Sequence, residues 1–399
     1  MSLDILHIAS HSINVGDGAL IQGMRARFAP LLPRPARYHD RDIVAFNSPD
    51  GNMDLGDLQF DEYDLILVGG GGTIDGKPYR QNSGMAFPLG GSEIRNGHIP
   101  LCYVALGYNL FPGEELHCCD ALVEVLRACA DLDIPFSVRN DGSLPRLKEA
   151  VGDAADRVVE VPDPGFFVPA ATTPVPQIES NRPAVLLQIA GDNLTRRVAA
   201  TGKASWFGKR SKGAVVDLAR QSAELVTWLV EQCDVDVVLA PHITKDLAVT
   251  AAVYEFLKPT IGRYRVRTLG VVSARQAPQF FAAYRQADLV IGMRGHSVIC
   301  AVGLERPCIA LSTHDKVRGF MENCRLQDWT VDYGKDWMDE TKQKAITLLS
   351  EPAAYHAARR EGTQEFSTRF DSFLTRCRDR WLKGSSRKQA ADAAARRPA

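Results

Sequence analysis

Short apolar runs alternate with longer stretches of helical period along most of this chain. Residues 4–9, Asp-Ile-Leu-His-Ile-Ala, predict a first strand, and residues 18–28 a helix after it. At 65–68, Leu-Ile-Leu-Val is a continuous apolar run closed by four glycines. That is the pattern of a buried parallel strand feeding a tight turn. Residues 101–106 and 134–138 predict further strands, with a helix over 121–130 between them. Prolines then crowd residues 162–183, and Thr172-Thr173-Pro174-Val175-Pro176 predicts an extended connector.

Beyond the connector the alternation restarts. Strands are predicted at 184–189, 235–240, 288–292 and 308–312, and helices at 215–232, 247–257 and 274–285. Strands separated by helices favour a parallel sheet covered on both faces. The chain therefore predicts an α/β protein of two Rossmann-like, doubly wound domains facing a cleft, with ligands outside the carboxyl ends of the strands. The expected division is 1–170, 182–350, C-terminal helices over 351–383, and a disordered basic tail at 384–399.

A length of 399 residues suits two domains of ordinary size. The formal net charge of −1 gives no global attraction to nucleic acid, so any anion site must be local. No stretch approaches the roughly 20 apolar residues of a membrane span, and the N-terminus lacks a secretory pattern. A cytoplasmic protein is expected, at most touching the inner membrane face through its basic tail. Nine scattered cysteines without a Cys-x-x-Cys pair predict reduced thiols and no zinc site. Oligomeric state is left open.

Five segments carry candidate chemistry. Asn14-Val15-Gly16-Asp17-Gly18 fits a ligand loop at a helix N-terminus or a plain turn that Asp17 caps. Gly69-Gly70-Gly71-Gly72 fits a backbone cradle for a phosphate or sugar, or close packing against a facing helix. It matches neither a Walker loop nor a Rossmann fingerprint. Arg139 leaves a strand tip, where a guanidinium suits a carboxylate or phosphate, or a surface ion pair. His242 follows a buried strand and suits a structural or a functional role, with Thr244 or Asp246 placed to cap the next helix. Strongest is the fifth, Ile291-Gly292-Met293-Arg294-Gly295-His296-Ser297, followed by Cys308 to Ser312 and then His314, Lys316 and Arg318. Two strand exits there bring a guanidinium, an imidazole, a helix N-terminus and further cations toward one spot, a pocket for a small polyanion.

These segments, in this order, resemble the polysaccharide pyruvyl transferase family. The carrying residues are Asn14-Val15-Gly16-Asp17, Leu67-Val68-Gly69-Gly70-Gly71, Val138-Arg139-Asn140-Asp141, Asp163-Pro164, His242 with Asp246, residues 287–296, and Pro307 through Phe320. The resemblance implies a glycosyltransferase-B-like pair of domains, the first on the acceptor side and the second on the phosphoenolpyruvate side. It implies transfer of a pyruvyl group from phosphoenolpyruvate to sugar hydroxyls of a polysaccharide or its lipid-linked precursor. No cofactor or metal is implied. Two departures stand out: Gly295 replaces the family's usual Leu, and Thr313-His314 replaces Tyr followed by Asp or Asn.

In that scheme Arg294, Arg139, Lys316 and Arg318 would hold the donor's carboxylate and phosphate. Asn14, Gly70, Gly71, Gly72, His242 and His314 would line the substrate site. His296 would be the general acid, and Asp17 or His242 would take a proton from the sugar hydroxyl. Two alternatives remain on the same scaffold, because fold does not set chemistry: a nucleotide-sugar-dependent glycosyltransferase, and a non-catalytic binding member of the family.

Overall fold

The structure is a computed structural model that describes residues 2–46, 55, 58–110, 114–178, 181–192, 211–313, 315–334 and 336–383. The predicted tail at 384–399 and the candidate His314 lie outside the described residues. In chain order the elements are β1 (Leu3–Ala9), α1 (Val15–Phe28), β2 (Ala36–Asp42), β3 (Leu65–Ile74), α2 (Gly91–Gly97), β4 (Leu101–Tyr108), α3 (Cys119–Asp131), β5 (Phe136–Arg139), α4 (Ser143–Val151) and β6 (Val159–Val161). They continue with β7 (Ala184–Gln188), α5 (Ser211–Cys233), β8 (Asp236–Leu239), α6 (Asp246–Phe256), α7 (Pro259–Tyr264), β9 (Val266–Thr268), α8 (Ala277–Gln286), β10 (Leu289–Gly292) and α9 (Gly295–Gly303). The chain closes with β11 (Cys308–Ser312), α10 (Asp315–Asn323), β12 (Thr330–Asp332), α11 (Trp337–Ser350), α12 (Ala353–Thr363) and α13 (Phe366–Trp381).

Two compact units result. One comprises residues 1–11, 24–163 and 365–399, the other 12–23 and 164–364. The division falls inside α1, whose first turns belong with the second unit. In the first unit, a parallel sheet of order β2-β1-β3-β4-β5-β6 is covered by helices. Every residue of β4 is buried, as a strand sandwiched between two helical layers must be. α13 returns to this unit: it buries Phe366, Phe370, Phe373, Leu374 and Cys377, and Trp381 Nε1 donates to the Leu101 carbonyl at 2.9 Å.

The second unit carries a parallel sheet of order β12-β11-β10-β7-β8-β9. Successive strands after β7 run outward to β8 and β9, then β10 returns to the other side of β7. The chain reverses direction between β7 and β10, and a crevice at the carboxyl ends of such strands is where open α/β sheets bind ligands. Among the described residues, no helix is long and apolar enough to cross a membrane.

Two local expectations are corrected. The glycines at 69–72 do not end their strand: β3 runs ten residues through them to Ile74, with Gly69 paired to Val104 and Gly71 to Leu106. A Cβ on Gly69 would run into the Val104 backbone, so bare backbone is needed for close packing against the neighbouring strand rather than against a helix. The helix of α1 starts at Val15, three residues earlier than predicted, because Asn14 and not Asp17 caps it: Asn14 Oδ1 accepts from Gly16 N at 3.0 Å.

Candidate functional site

At the switch between β7 and β10, the last residue of β7 is Gln188, fully buried. Its Oε1 accepts from Arg294 N at 2.8 Å and Met293 N at 3.2 Å, so it holds the segment leaving β10. Asp246, the first residue of α6, is also fully buried and ties three strand exits together. It accepts from Gly191 N (2.8 Å) after β7, from His242 N (3.0 Å) and Ile243 N (3.3 Å) after β8, and from Arg294 Nε (2.9 Å) and Nη2 (2.5 Å) after β10. Asp246 is thus no forward helix cap; it turns back onto the loop before it. Two parallel guanidinium contacts to one carboxylate fix the plane of Arg294. A second carboxylate, Asp192, accepts from Nη2 at 2.6 Å. Burial works against the charge of Arg294, and Asp246 and Asp192 together outweigh it, so its pKa is raised.

His296 lies two residues further, in the first turn of α9, half-buried. The Asn14 loop is brought against it within the second unit. A Cβ on Gly16 would fall 2.8 Å from Cβ and Cγ of His296, so the helix start and the imidazole are in direct contact. Val15 N donates to the His242 carbonyl at 3.2 Å, and Asn14 forms an antiparallel bridge with Ile243. Asn14 Nδ2 donates to Asp17 Oδ2 at 2.9 Å and orients that carboxylate. Gly295, by contrast, is roomy: an added Cβ would meet nothing nearer than Ile299 Cδ1 at 3.9 Å.

His242 stands behind this layer, 1% exposed and packed edge-on against Phe280 and Phe281. Its Nε2 and the Tyr284 hydroxyl are 2.6 Å apart, and that hydroxyl lies 3.0 Å from Ser297 Oγ, next in sequence to His296. Burial, with Arg294 and His296 nearby, pushes the His242 pKa well below the usual histidine value. The ring is a neutral strut rather than a surface for substrate.

β11 pairs with β10 in parallel, so its exit leaves the same edge of the sheet. Thr313 is buried there, and Lys316 sits half-buried in the first turn of α10. Arg318, two residues on, pairs with Asp332.

The remaining candidates belong to the first unit. Arg139 is 4% exposed and held by two carboxylates, Asp163 and Asp141, each at 3.0 Å. It is neither a bare strand-tip cation nor a surface ion pair, but the centre of a buried charge cluster. Asn140 Oδ1 completes that corner by accepting from Asp163 N at 2.9 Å. Gly70, with φ 76°, and Gly71 and Gly72 lie in β3; Gly72 packs against Asn109, and a Cβ on Gly71 would meet nothing within 4 Å.

The model of the polysaccharide pyruvyl transferase family matches residues 14–315. The chain belongs to this family. The match opens on Asn14, which caps α1, and takes in His242, Asp246, Arg294 and His296; Lys316 and Arg318 lie just past its end. No curated protein matches by sequence. Among solved structures, the chain is similar to Staphylococcus aureus MnaA with UDP, at 14% identity and TM-score 0.56, covering 93% of this chain and 94% of that one. It is similar to the UDP-GlcNAc 2-epimerase of Neisseria meningitidis bound to UDP-GlcNAc, at 11% identity and TM-score 0.53, covering 93% and 98%. These likenesses establish the glycosyltransferase-B-like α/β fold that the family resemblance implied.

Around Arg294 and His296, sequence reasoning missed Gln188, Asp192 and Tyr284. Gln188 leaves a trace in the sequence, as an amide closing an apolar strand. Asp192 and Tyr284 leave none, because their partners are 102 and 42 residues away.

Proposed function

We propose that the chain transfers the pyruvyl group of phosphoenolpyruvate to two sugar hydroxyls of a polysaccharide or its precursor, forming a pyruvate ketal and releasing phosphate. The observation that carries the reading is the Arg294–His296 pair at the β7/β10 switch, with the guanidinium plane set by Asp246. A rigid guanidinium is suited to a carboxylate or phosphate oxygen, and an imidazole two residues on is suited to proton transfer.

The steps follow from the donor's chemistry. His296 gives a proton to the methylene carbon, which becomes a methyl group and leaves positive character on the neighbouring carbon. A sugar hydroxyl attacks that carbon and passes its proton to Asp17, whose carboxylate Asn14 orients. The bond from carbon to phosphate oxygen breaks, phosphate departs with the proton that Asp17 took, and the second hydroxyl closes the ketal, its proton returning to His296. Lys316 and Arg318 serve the donor's negative charge from the neighbouring strand exit. His242 and Tyr284 act through position, holding the first turn of α9 where His296 sits.

The test is phosphate release from phosphoenolpyruvate in the presence of a panel of sugar acceptors. His296→Ala is expected to keep phosphoenolpyruvate binding and lose turnover. No thermal stabilisation by millimolar phosphoenolpyruvate, with stabilisation by a uridine or guanosine diphosphate instead, would replace this reading with nucleotide-sugar chemistry. Binding without phosphate release from any acceptor would mark a non-catalytic member.

A further inference from the structure

Arg80, Arg139, Arg294 and Arg359 are mostly buried, and each faces at least one carboxylate. Arg146, in the first turn of α4, is half-buried and has no carboxylate at ion-pair distance among the described residues. Its Nη2 donates to the Leu110 carbonyl at 2.8 Å, just past the end of β4. Its guanidinium carbon lies 4.9 Å from the centre of the Tyr108 ring, the last residue of β4. Nη1 is enclosed with no hydrogen-bond partner, a state that costs about 1–3 kcal/mol. The position adds a second cost. α4 has no acidic residue in its first turn, and a cation there meets the positive end of the helix dipole. The stem of an uncharged long side chain would cover Tyr108 without either cost.

We infer that Arg146 is the anion-binding residue of a sugar site on the first unit, and that the sugar taken there carries a negative group, a carboxylate or a phosphate. The inference rests on the proposed function for identifying that sugar as the acceptor. β4 and β5 are parallel neighbours, Tyr108 closes β4, and α4 follows β5. Arg146 therefore stands at the carboxyl ends of adjacent strands, where open α/β sheets take ligands. Tyr108 N donates to Ser143 Oγ at 2.9 Å and fastens the end of β4 to the start of α4. With a ring against one face and a carbonyl at one edge, the plane of the guanidinium is set before a ligand arrives. An oxyanion brought to it would supply the missing acceptor and counter the positive end of α4. A neutral sugar would do neither, so Arg146 favours an anionic acceptor over a neutral one of the same shape. Arg294, proposed to hold the donor, belongs to the second unit.

The experiment is calorimetric titration of the full chain with glucose, glucuronate, glucose 1-phosphate and phosphoenolpyruvate. It compares the wild type with Arg146→Gln and with Arg146→Met, which keeps an apolar stem on Tyr108 should the first variant fail to fold. The wild type is expected to bind at least one of the two anionic sugars roughly tenfold tighter than glucose, the size of one charge-assisted contact. That preference should vanish in both neutral variants while their affinity for phosphoenolpyruvate is unchanged. Arg146→Lys, which keeps the charge, should retain part of the preference, an outcome that a merely structural role would not give. Preference for glucuronate points to an acidic residue of the polysaccharide, and preference for glucose 1-phosphate to a phosphorylated precursor. A wild type that binds all three sugars alike, or a preference that survives in the neutral variants, overturns the inference. So does a loss of phosphoenolpyruvate affinity in those variants, which would give Arg146 to the donor. If the wild type does not bind phosphoenolpyruvate, the pyruvyl-transfer reading falls, and the sugar titrations alone decide whether Arg146 selects anions.

Discussion

The backbone of Gly16 lies against the imidazole of His296, leaving no room for even one methyl group between them. Gly16 sits in the first turn of α1, and His296 in the first turn of α9, 280 residues later. Ordinarily Ala in place of Gly stabilises a helix by about 0.5–1 kcal/mol. Here the gain is set against a clash with the group proposed to move the proton.

Gly16→Ala is therefore expected to leave the fold intact while displacing His296. Circular dichroism should show a thermal midpoint within a few degrees of the wild type, and turnover of phosphoenolpyruvate should fall about tenfold or more. Full turnover in that variant would remove His296 from the proposed chemistry, or show that its ring can shift at no cost.

Asp246 calls for a different outcome. Asp246→Asn keeps the volume but leaves the guanidinium of Arg294 with Asp192 as its one carboxylate, in surroundings where an underpaired charge costs about 3–5 kcal/mol. Chemical denaturation should show a loss of that order. Adding Arg294→Met and Asp192→Asn to the same protein should recover part of it, because neither the guanidinium nor its second carboxylate is then left behind. A single variant as stable as the wild type would mean that the three strand exits are held together by other groups.

Two buried histidines make stability depend on pH in a definite direction. His7, in β1, is fully buried and accepts from Arg25 at Nδ1, and burial first, then Arg25, drives its pKa well below the ordinary value. His242 is lowered in the same sense, by burial first. In both, the folded state holds the neutral ring while the unfolded chain takes up a proton below about pH 6.5. The stability they contribute is present above that pH and drains away below it, down toward their lowered folded values. The expected slope is about 1.4 kcal/mol per pH unit for each ring. Urea denaturation between pH 5 and 7 should show the slope, and His7→Gln should reduce it. An unchanged slope in that variant would mean that His7 is protonated in the folded protein.

Much of the fold was legible because it rests on runs of apolar residues. Strands such as residues 308–312 are buried on both faces, so each is written as an uninterrupted apolar segment, and the structure places β11 at those residues. β2 was not legible. Its sequence, Ala-Arg-Tyr-His-Asp-Arg-Asp, is polar because it is an edge strand with partly exposed positions, and only pairing with β1 makes it a strand. The glycines of β3 misled for a related reason: glycine usually ends a strand, but here the neighbouring backbone of Val104 needs the space.

The sequence by itself determined the α/β class, the restart of the pattern in the second half, and the chemistry-bearing segments, since burial periodicity and residue type are local properties of a chain. The tertiary structure alone decided who holds whom. Asn14 and Gly16 come to rest on His242 and His296 of the second unit. Arg139 is consumed by Asp141 and Asp163. Arg294 is shared between Asp246 and Asp192. Such pairings depend on which strand exits leave the same edge of a sheet. That order is set by crossover connections hundreds of atoms long, which no short window of sequence records.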